Sequence, residues 1–241
     1  MKPLNLFKQN NTMAKFQLVV FDMAGTTVLD RGNVADSFID AFRKHSISVE
    51  RTEVKKVMGW RKKDAIRLLL ETYHPQPGVN EEELIEKIHD TFIKNMIRFY
   101  EEDKDIKPLP FAEDIFGQLK KEGIKVALNT GFTRAITDTI LQRLHWNNGE
   151  SKIDYVIASD EVPEGRPYPF MIQTIMQQLQ ITDSKQVVKI GDTEVDVQEG
   201  RNAECGLVVS VTTGAYSRDQ LKQYHPDHII DSLSELPSLI L

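Results

Sequence analysis

The 241-residue chain contains a single cysteine, Cys205, which excludes an internal disulfide framework and fits a reducing compartment. Basic residues are in the minority, with 30 Lys and Arg against 36 Asp and Glu and a net charge of −6. That balance argues against a nucleic acid or an anionic membrane surface as the main partner, so any anionic ligand needs a local site. No apolar run approaches the roughly 20 residues that cross a bilayer. Residues 1–14 are polar and Asn-rich and lack the continuous apolar core of a signal peptide. We expect them to form a disordered arm ahead of the first strand, and we expect a cytoplasmic protein. The remaining composition is ordinary, 40% hydrophobic and 27% charged, which supplies a core and is too apolar for disorder. The length predicts one large domain plus an insertion.

The first clear element is Phe16-Gln17-Leu18-Val19-Val20-Phe21, a short β-branched run of the kind buried in parallel sheets. It ends in the polar turn Asp22-Met23-Ala24-Gly25-Thr26-Thr27. From Val34 to Tyr100 the pattern becomes helical: Phe38, Ile39 and Phe42, then Ile66, Leu69 and Leu70, then Leu84, Ile85, Ile88, Phe92, Ile93, Met96 and Ile97 recur at helical spacing. This predicts about four helices, broken at His74-Pro75-Gln76-Pro77-Gly78. After Pro108 an alternating rhythm resumes. Helices over Ala112–Glu122, Arg134–Leu144 and Tyr168–Leu179 alternate with strands Lys125–Asn129, Tyr155–Ala158 and Val187–Ile190, and Leu207–Val211 and His228–Ile230 complete the strands. Strands separated by helices predict an α/β fold, a Rossmann-like parallel-sheet core, here with an inserted α-helical cap. The core is expected over 15–33 and 103–241 and the cap over 34–102.

Four signals fall at the C-terminal ends of predicted strands, the edge where open α/β sheets bind ligands. They are Asp22 in DMAGTT, Thr130 in LNTGF, Arg166 in EGRPYP, and Asp192 with Asp196 in GDTEVD. Each alone has a bland reading as a helix cap, a turn or a surface loop. Their joint occurrence, in order and in place, makes the bland reading improbable.

Together these residues resemble the four motifs of the haloacid dehalogenase superfamily, and the resemblance covers nearly the whole chain after Lys15. It implies that Asp22 is a nucleophile forming an aspartyl-phosphate. A carboxylate attacks phosphorus only when the phosphoryl charge is neutralised, which Mg²⁺ does as Lewis acid and template. Carboxylates are the hard ligands Mg²⁺ prefers. By resemblance the metal site comprises Asp22, the Ala24 carbonyl, Asp192 and, in support, Asp196. Thr26, Thr130 and the Gly131 N–H would hold phosphoryl oxygens, and Arg166 would stabilise the nucleophile and the transferring group.

The departure from the family pattern is informative. Most phosphatases of the superfamily carry a general acid two residues after the nucleophile, where this chain has Ala24. Loss of a general acid costs about 10²–10⁴ in rate. Carbon–phosphorus cleavage needs no acid there, provided the carbon leaves as something stabler than a carbanion. The combination of D-x-A-G-T-T with Arg in G-R-P-x-P resembles the phosphonoacetaldehyde hydrolase branch and its phosphonatase-like sister group. Those enzymes form a Schiff base between a cap lysine and the substrate aldehyde. Met58-Gly59-Trp60-Arg61-Lys62-Lys63-Asp64 resembles the segment carrying that lysine and places it at Lys62, with Lys63 as the fallback. By composition alone this is a charge run of the sort that solvates a helix face. A Schiff-base lysine must be neutral at work, so its pKa has to fall from about 10.4 toward about 7–8. Burial at a cap–core interface beside Arg61 and Lys63 is the expected cause. Gly32 and Ala65 stand where phosphonoacetaldehyde hydrolases carry a Cys and a His, which points to a related 2-oxoalkylphosphonate as substrate.

The leading expectation is therefore an Mg²⁺-dependent hydrolase of a small phosphonate. A phosphomonoesterase of the phosphoglycolate phosphatase type and a non-catalytic phosphoryl-binding protein are the alternatives. The six histidines are scattered without metal-ligand spacing, and Cys205 is expected to serve packing. The apolar face of Glu81–Tyr100 is expected as cap core and as a candidate homodimer surface.

Overall fold

A computed structural model of the chain describes residues 16–74, 80–147 and 152–241. The expected N-terminal arm, and the break from Pro75 to Gly78, lie outside the described residues. Six parallel strands, β1 (Leu18–Phe21), β2 (Lys125–Thr130), β3 (Tyr155–Ala158), β4 (Val187–Gly191), β5 (Leu207–Val211) and β6 (His228–Ile230), form one sheet in the order β3-β2-β1-β4-β5-β6. All four residues of β1 are buried because both faces of the sheet are covered. Side chains alternate across the pleat. Leu18 and Val20 join Ile172, Ile175 and Val197 on one face, while Val19 and Phe21 join Phe116, Val188 and Ile190 on the other. The Phe21 and Phe116 rings meet edge to face with centroids 5.3 Å apart. Burying one such side chain fully contributes about 1.5–3 kcal/mol.

Four helices follow β1: α1 (Asn33–Lys44), α2 (Arg51–Lys56), α3 (Lys62–Tyr73) and α4 (Glu81–Glu102). Their apolar stripes converge, with Phe38 and Phe42 of α1, Ile66, Leu69 and Leu70 of α3, and Ile85, Ile88, Phe92 and Met96 of α4 all buried in one cluster. Phe38 and Phe92 pack with centroids 4.4 Å apart. α4 opens with Glu81, Glu82 and Glu83, which complement the positive end of the helix dipole. Its 22 residues make a rod of about 33 Å that packs on α1 and α3 and also on α6 (Arg134–Arg143) of the core. It thereby ties the helical cap to the sheet. α5 (Ala112–Lys121), α7 (Phe170–Gln178), α8 (Glu194–Asn202), α9 (Arg218–Lys222) and α10 (Pro237–Ile240) complete the helices.

Element bounds agree with expectation to within two residues, with two instructive differences. The first strand starts at Leu18 because Gln17 already turns its N–H to the Gln186 carbonyl below the sheet ladder. α7 starts at Phe170, since Pro167 and Pro169 withhold N–H donors and Tyr168 closes a turn onto the Gly165 carbonyl. Cys205 is buried and its thiol is pushed up to about 12, chiefly by burial, so it remains a packing residue. Among the described residues no helix is long and apolar enough to cross a membrane.

Candidate active site

The strand order reverses between β1 and β4, so the loops leaving these two neighbours part and open a crevice at their C-terminal ends. Asp22 follows β1 directly and Asp192 follows β4 directly. The Asp22 N–H donates to the Ile190 carbonyl at 2.9 Å, which fixes the start of the loop. The Thr27 hydroxyl donates back to the Asp22 carbonyl at 2.9 Å, and Thr27 and Val28 both donate N–H groups to the Met23 carbonyl at 2.8 Å. Gly25 adopts φ of 89°, and a side chain there would collide with the Asp192 carboxylate. Thr26, expected to face phosphoryl oxygens, instead donates its hydroxyl to Asp192 Oδ1 at 3.2 Å and is fully buried. It orients a carboxylate. The Ala215 N–H holds the other Asp192 oxygen at 2.6 Å.

Beneath these loops lies a buried polar network. Arg166, 1% exposed, donates to Asp22 Oδ1 at 2.7 Å, to Asp196 Oδ1 at 2.5 Å and to the Asn129 carbonyl at 3.1 Å. Lys189, in the middle of β4, reaches Asn129 Oδ1 at 2.7 Å and both Asp196 and Glu199 at 3.0 Å. Asn129 donates to both Glu199 oxygens at 2.8 and 2.9 Å. Asp196 also accepts from the Thr193 hydroxyl at 2.6 Å. Burial favours its neutral form, yet Arg166 and Lys189 outweigh it and hold Asp196 below the usual carboxylate range. Asp22 goes the other way: burial raises it, Asp196 adds to this, and Arg166 and Lys189 only partly compensate. Asp192 lies well above the usual range, through burial first and then through the charges of Asp22 and Asp196.

Lys62 opens α3, and it is 3% exposed although it sits in the run Arg61-Lys62-Lys63-Asp64. Its ammonium donates to the Trp60 carbonyl at 3.1 Å and stands 5.1, 5.5 and 6.0 Å from the ring centroids of Phe132, Phe38 and Phe92. Its pKa falls to about 7, by burial first and then by the Arg166 charge, with Asp22 and Asp30 opposing. The expected helpers Arg61 and Lys63 are not the cause. Arg61 reaches out to the Pro163 carbonyl, and Lys63 pairs with Glu86 on α4. Lys63, the alternative amine, thus points to α4 and is not among the residues lining the cavity at Lys62. Lys62 lines one cavity of about 20 Å³ with Asp22, Ala24, Asp30, Thr130, Gly131 and Asp192 among its walls. The cap lies directly on the core here. A side-chain carbon on Gly131 would come within 2.5 Å of the Gly59 and Trp60 carbonyl oxygens. The Thr130 hydroxyl accepts the Phe132 N–H at 3.2 Å.

The haloacid dehalogenase-like hydrolase family model matches residues 19–210, spanning every one of these loops. The chain belongs to that family. Within it the chain groups with the phosphonoacetaldehyde hydrolase-like branch. It is 29% identical to a phosphonoacetaldehyde hydrolase of Bacillus cereus over 231 residues, covering 91% of this chain and 86% of the relative. It is 32% identical to that of Bacillus cytotoxicus over 198 residues, covering 78% and 73%. A phosphonoacetaldehyde hydrolase-like protein from Oleispira antarctica superposes with a TM-score of 0.79 at 23% identity, covering 100% of this chain and 95% of that one. A candidate phosphoglycolate phosphatase from Lactobacillus delbrueckii gives 0.74 at 20% identity, covering 94% and 99%. These two superpositions speak for the shared fold.

Haloacid dehalogenase-like hydrolases generally use Mg²⁺, and the donor set here fits a divalent cation. Ligand oxygens of Asp22, Asp192 and Asp196 lie within 4.8 Å of one another. The acidic side chains of Asp22, Asp192, Asp196 and Glu199 are buried together with the basic side chains of Arg166 and Lys189, an excess of two acidic groups among these six. A divalent ion held there would offset the charges of Asp22 and Asp196 that, after burial, raise Asp192.

Lys189, Asn129, Glu199 and Asp30 were not anticipated from the sequence. For Lys189 a signal existed: a lysine inside the run Val187-Val188-Lys189-Ile190 is in a strand buried on both faces, and a buried ammonium requires carboxylate partners. Asp196 and Glu199, three apart on one helix, are spaced to supply them.

Proposed function

We propose that this haloacid dehalogenase-like hydrolase cleaves the carbon–phosphorus bond of phosphonoacetaldehyde or a related 2-oxoalkylphosphonate. The observation that carries the reading is the pairing of a buried, easily neutralised Lys62 amine with a phosphoryl site whose acid position is Ala24. Names borne by the Bacillus relatives point the same way.

In this reading the neutral Lys62 amine adds to the substrate carbonyl and, with uptake of one proton, expels the carbonyl oxygen as water and leaves an iminium. An Asp22 oxygen then attacks phosphorus. The electron pair of the breaking C–P bond moves to the iminium carbon and onto nitrogen, giving a neutral enamine, so no proton donor is needed at position 24. Water next attacks the aspartyl-phosphate and releases phosphate, while the enamine takes a proton at carbon and the resulting iminium is hydrolysed to free Lys62. Arg166 holds the Asp22 carboxylate in line and offsets phosphoryl charge. Thr130 and the Gly131 N–H are the proposed phosphoryl contacts. Asp22, Asp192 and the Ala24 carbonyl would hold Mg²⁺, with Asp196 supporting from its place between Arg166 and Lys189. When bound, the ion supplies charge neutralisation at the transferring group. The rings of Phe38, Phe92 and Phe132 favour a cationic nitrogen, including that of an iminium.

The test is borohydride trapping in the presence of phosphonoacetaldehyde, with phosphate release measured beside it. Mass addition on Lys62 and loss of both signals in Lys62→Ala are expected. Full phosphonate turnover by Lys62→Ala would remove the imine from the mechanism. Substantial hydrolysis of phosphate esters, insensitive to that substitution, would instead favour the phosphomonoesterase reading.

A further inference from the structure

Imine formation needs a proton carrier as well as an amine. The carbonyl oxygen must be protonated before it can leave as water, and a proton must come off nitrogen. Among the described residues, the titratable side chains lining the 20 Å³ cavity are Asp22, Asp192, Lys62 and Asp30. The first two serve phosphorus and its cation in the reading above, and Lys62 is the amine itself. Asp30 is left.

Its placement suits the task. Asp30 Oδ1 accepts the N–H groups of Gly32 at 2.9 Å and Asn33 at 2.8 Å, which anchors the carboxyl at the entry to α1. No hydrogen bond reaches Oδ2 among the described residues. The same residue also lines an adjoining cavity of about 250 Å³, whose walls share Asp30, Met58 and Ala215 with the smaller one. The residue thus borders both the chamber that Lys62 lines and the larger cavity beside it. Lys62 from α3 and Tyr100 from α4 are the titratable groups that interact with it. Burial is the largest influence on Asp30 and raises its pKa, while burial lowers that of Lys62. Both shifts move the groups toward the neutral range, where a proton carrier and a free amine are each of use.

We propose that Asp30 is the general acid and base of imine formation and hydrolysis at Lys62. The inference rests on the imine reading above. As the amine adds, protonated Asp30 gives its proton to the carbonyl oxygen, then takes one back from nitrogen. It next protonates the carbinolamine hydroxyl; the C–O bond breaks, water leaves and the nitrogen lone pair forms the C=N bond. The sum is amine, aldehyde and carboxylic acid going to iminium, water and carboxylate. Hydrolysis runs the same steps backwards.

Asp30→Asn tests this in the full-length protein with Mg²⁺. Asparagine presents the same side-chain oxygen to the Gly32 and Asn33 N–H groups in this turn, but it carries no exchangeable acid. Expected are a melting temperature near wild type, a KM within a few-fold, and losses of about 10²–10⁴ in both kcat and the rate of borohydride trapping with phosphonoacetaldehyde. Trapping at the wild-type rate would overturn the proposal. Should Asp30→Asn not fold, Asp30→Ser retains a capping oxygen and opens space. Added formate is then expected to restore trapping, and a lost rate that formate leaves unchanged would overturn the assignment. If the wild type itself forms no adduct and releases no phosphate from phosphonoacetaldehyde, the underlying imine reading has failed. If the wild type reacts and Asp30→Asn reacts equally, only the role of Asp30 has failed.

Discussion

A lysine attacks a carbonyl only after losing its proton, and at Lys62 burial together with the Arg166 charge brings that loss to about pH 7. The sign is set by a depressed basic group. Below 7 the amine is protonated and inert; above it the nucleophile is present. Phosphonate kcat/KM is accordingly expected to climb about tenfold per pH unit on the acid side and to level off above about 7. A profile still climbing toward pH 10 would mean that Lys62 titrates as it does in water. Ala24 offers a second test of the same chemistry. Ala24→Asp adds the proton donor that an alkoxide leaving group wants, so hydrolysis of a phosphate ester is expected to rise at least about tenfold, toward the 10²–10⁴ that a fully positioned acid contributes. Measuring ester and phosphonate rates side by side checks it, and an unchanged ester rate would show that position 24 does not govern the leaving group.

At the scale of elements, β4 and α8 are joined by charge rather than by apolar packing alone. Lys189 of the strand holds Asp196 and Glu199 of the helix, each at 3.0 Å, with all three buried. Lys189→Met removes the cation while roughly keeping the volume, which leaves two carboxylates short of a partner. A loss of about 3–5 kcal/mol in urea unfolding is expected, partly recovered by adding Glu199→Gln. A cost under about 1 kcal/mol would show that Arg166 alone suffices. These elements also show what a sequence discloses. The strands were legible because parallel strands buried on both faces must be continuous apolar runs, and the Asp22, Thr130, Arg166 and Asp192 loops because each closes one such run. The turn of Lys62 inward was less legible. Four consecutive polar residues look alike until the helix phase is set, but Lys62, Ala65, Ile66, Leu69 and Leu70 share one buried stripe. Spacing alone cannot say which of two adjacent loop hydroxyls turns to a neighbouring carboxylate, as Thr26 does, and which turns back on its own loop, as Thr27 does. The partners of Lys62 were likewise hidden, since Arg166 comes from a loop 104 positions away along the chain.

For the molecule as a whole, the excess of buried acidic groups at the crevice links folding to cation binding. A divalent ion that binds the folded chain alone stabilises it by about 2.7 kcal/mol at one hundred times its Kd. Mg²⁺ is therefore expected to raise the melting temperature, and excess EDTA to reverse the rise and abolish phosphate release. Thermal melts with Mg²⁺, with EDTA and with Asp192→Asn check this, because the variant is expected to lose most of the shift. A wild-type melting curve indifferent to Mg²⁺ would separate the carboxylate cluster from any metal.

Where Gly131 meets the Gly59 and Trp60 carbonyls, the backbones nearly touch, and the chamber behind them has space for about one water. On the proposed reading a phosphonate reaches the Lys62 amine only if this contact loosens, so the tempo of that loosening would set a ceiling on turnover however fast the chemistry runs.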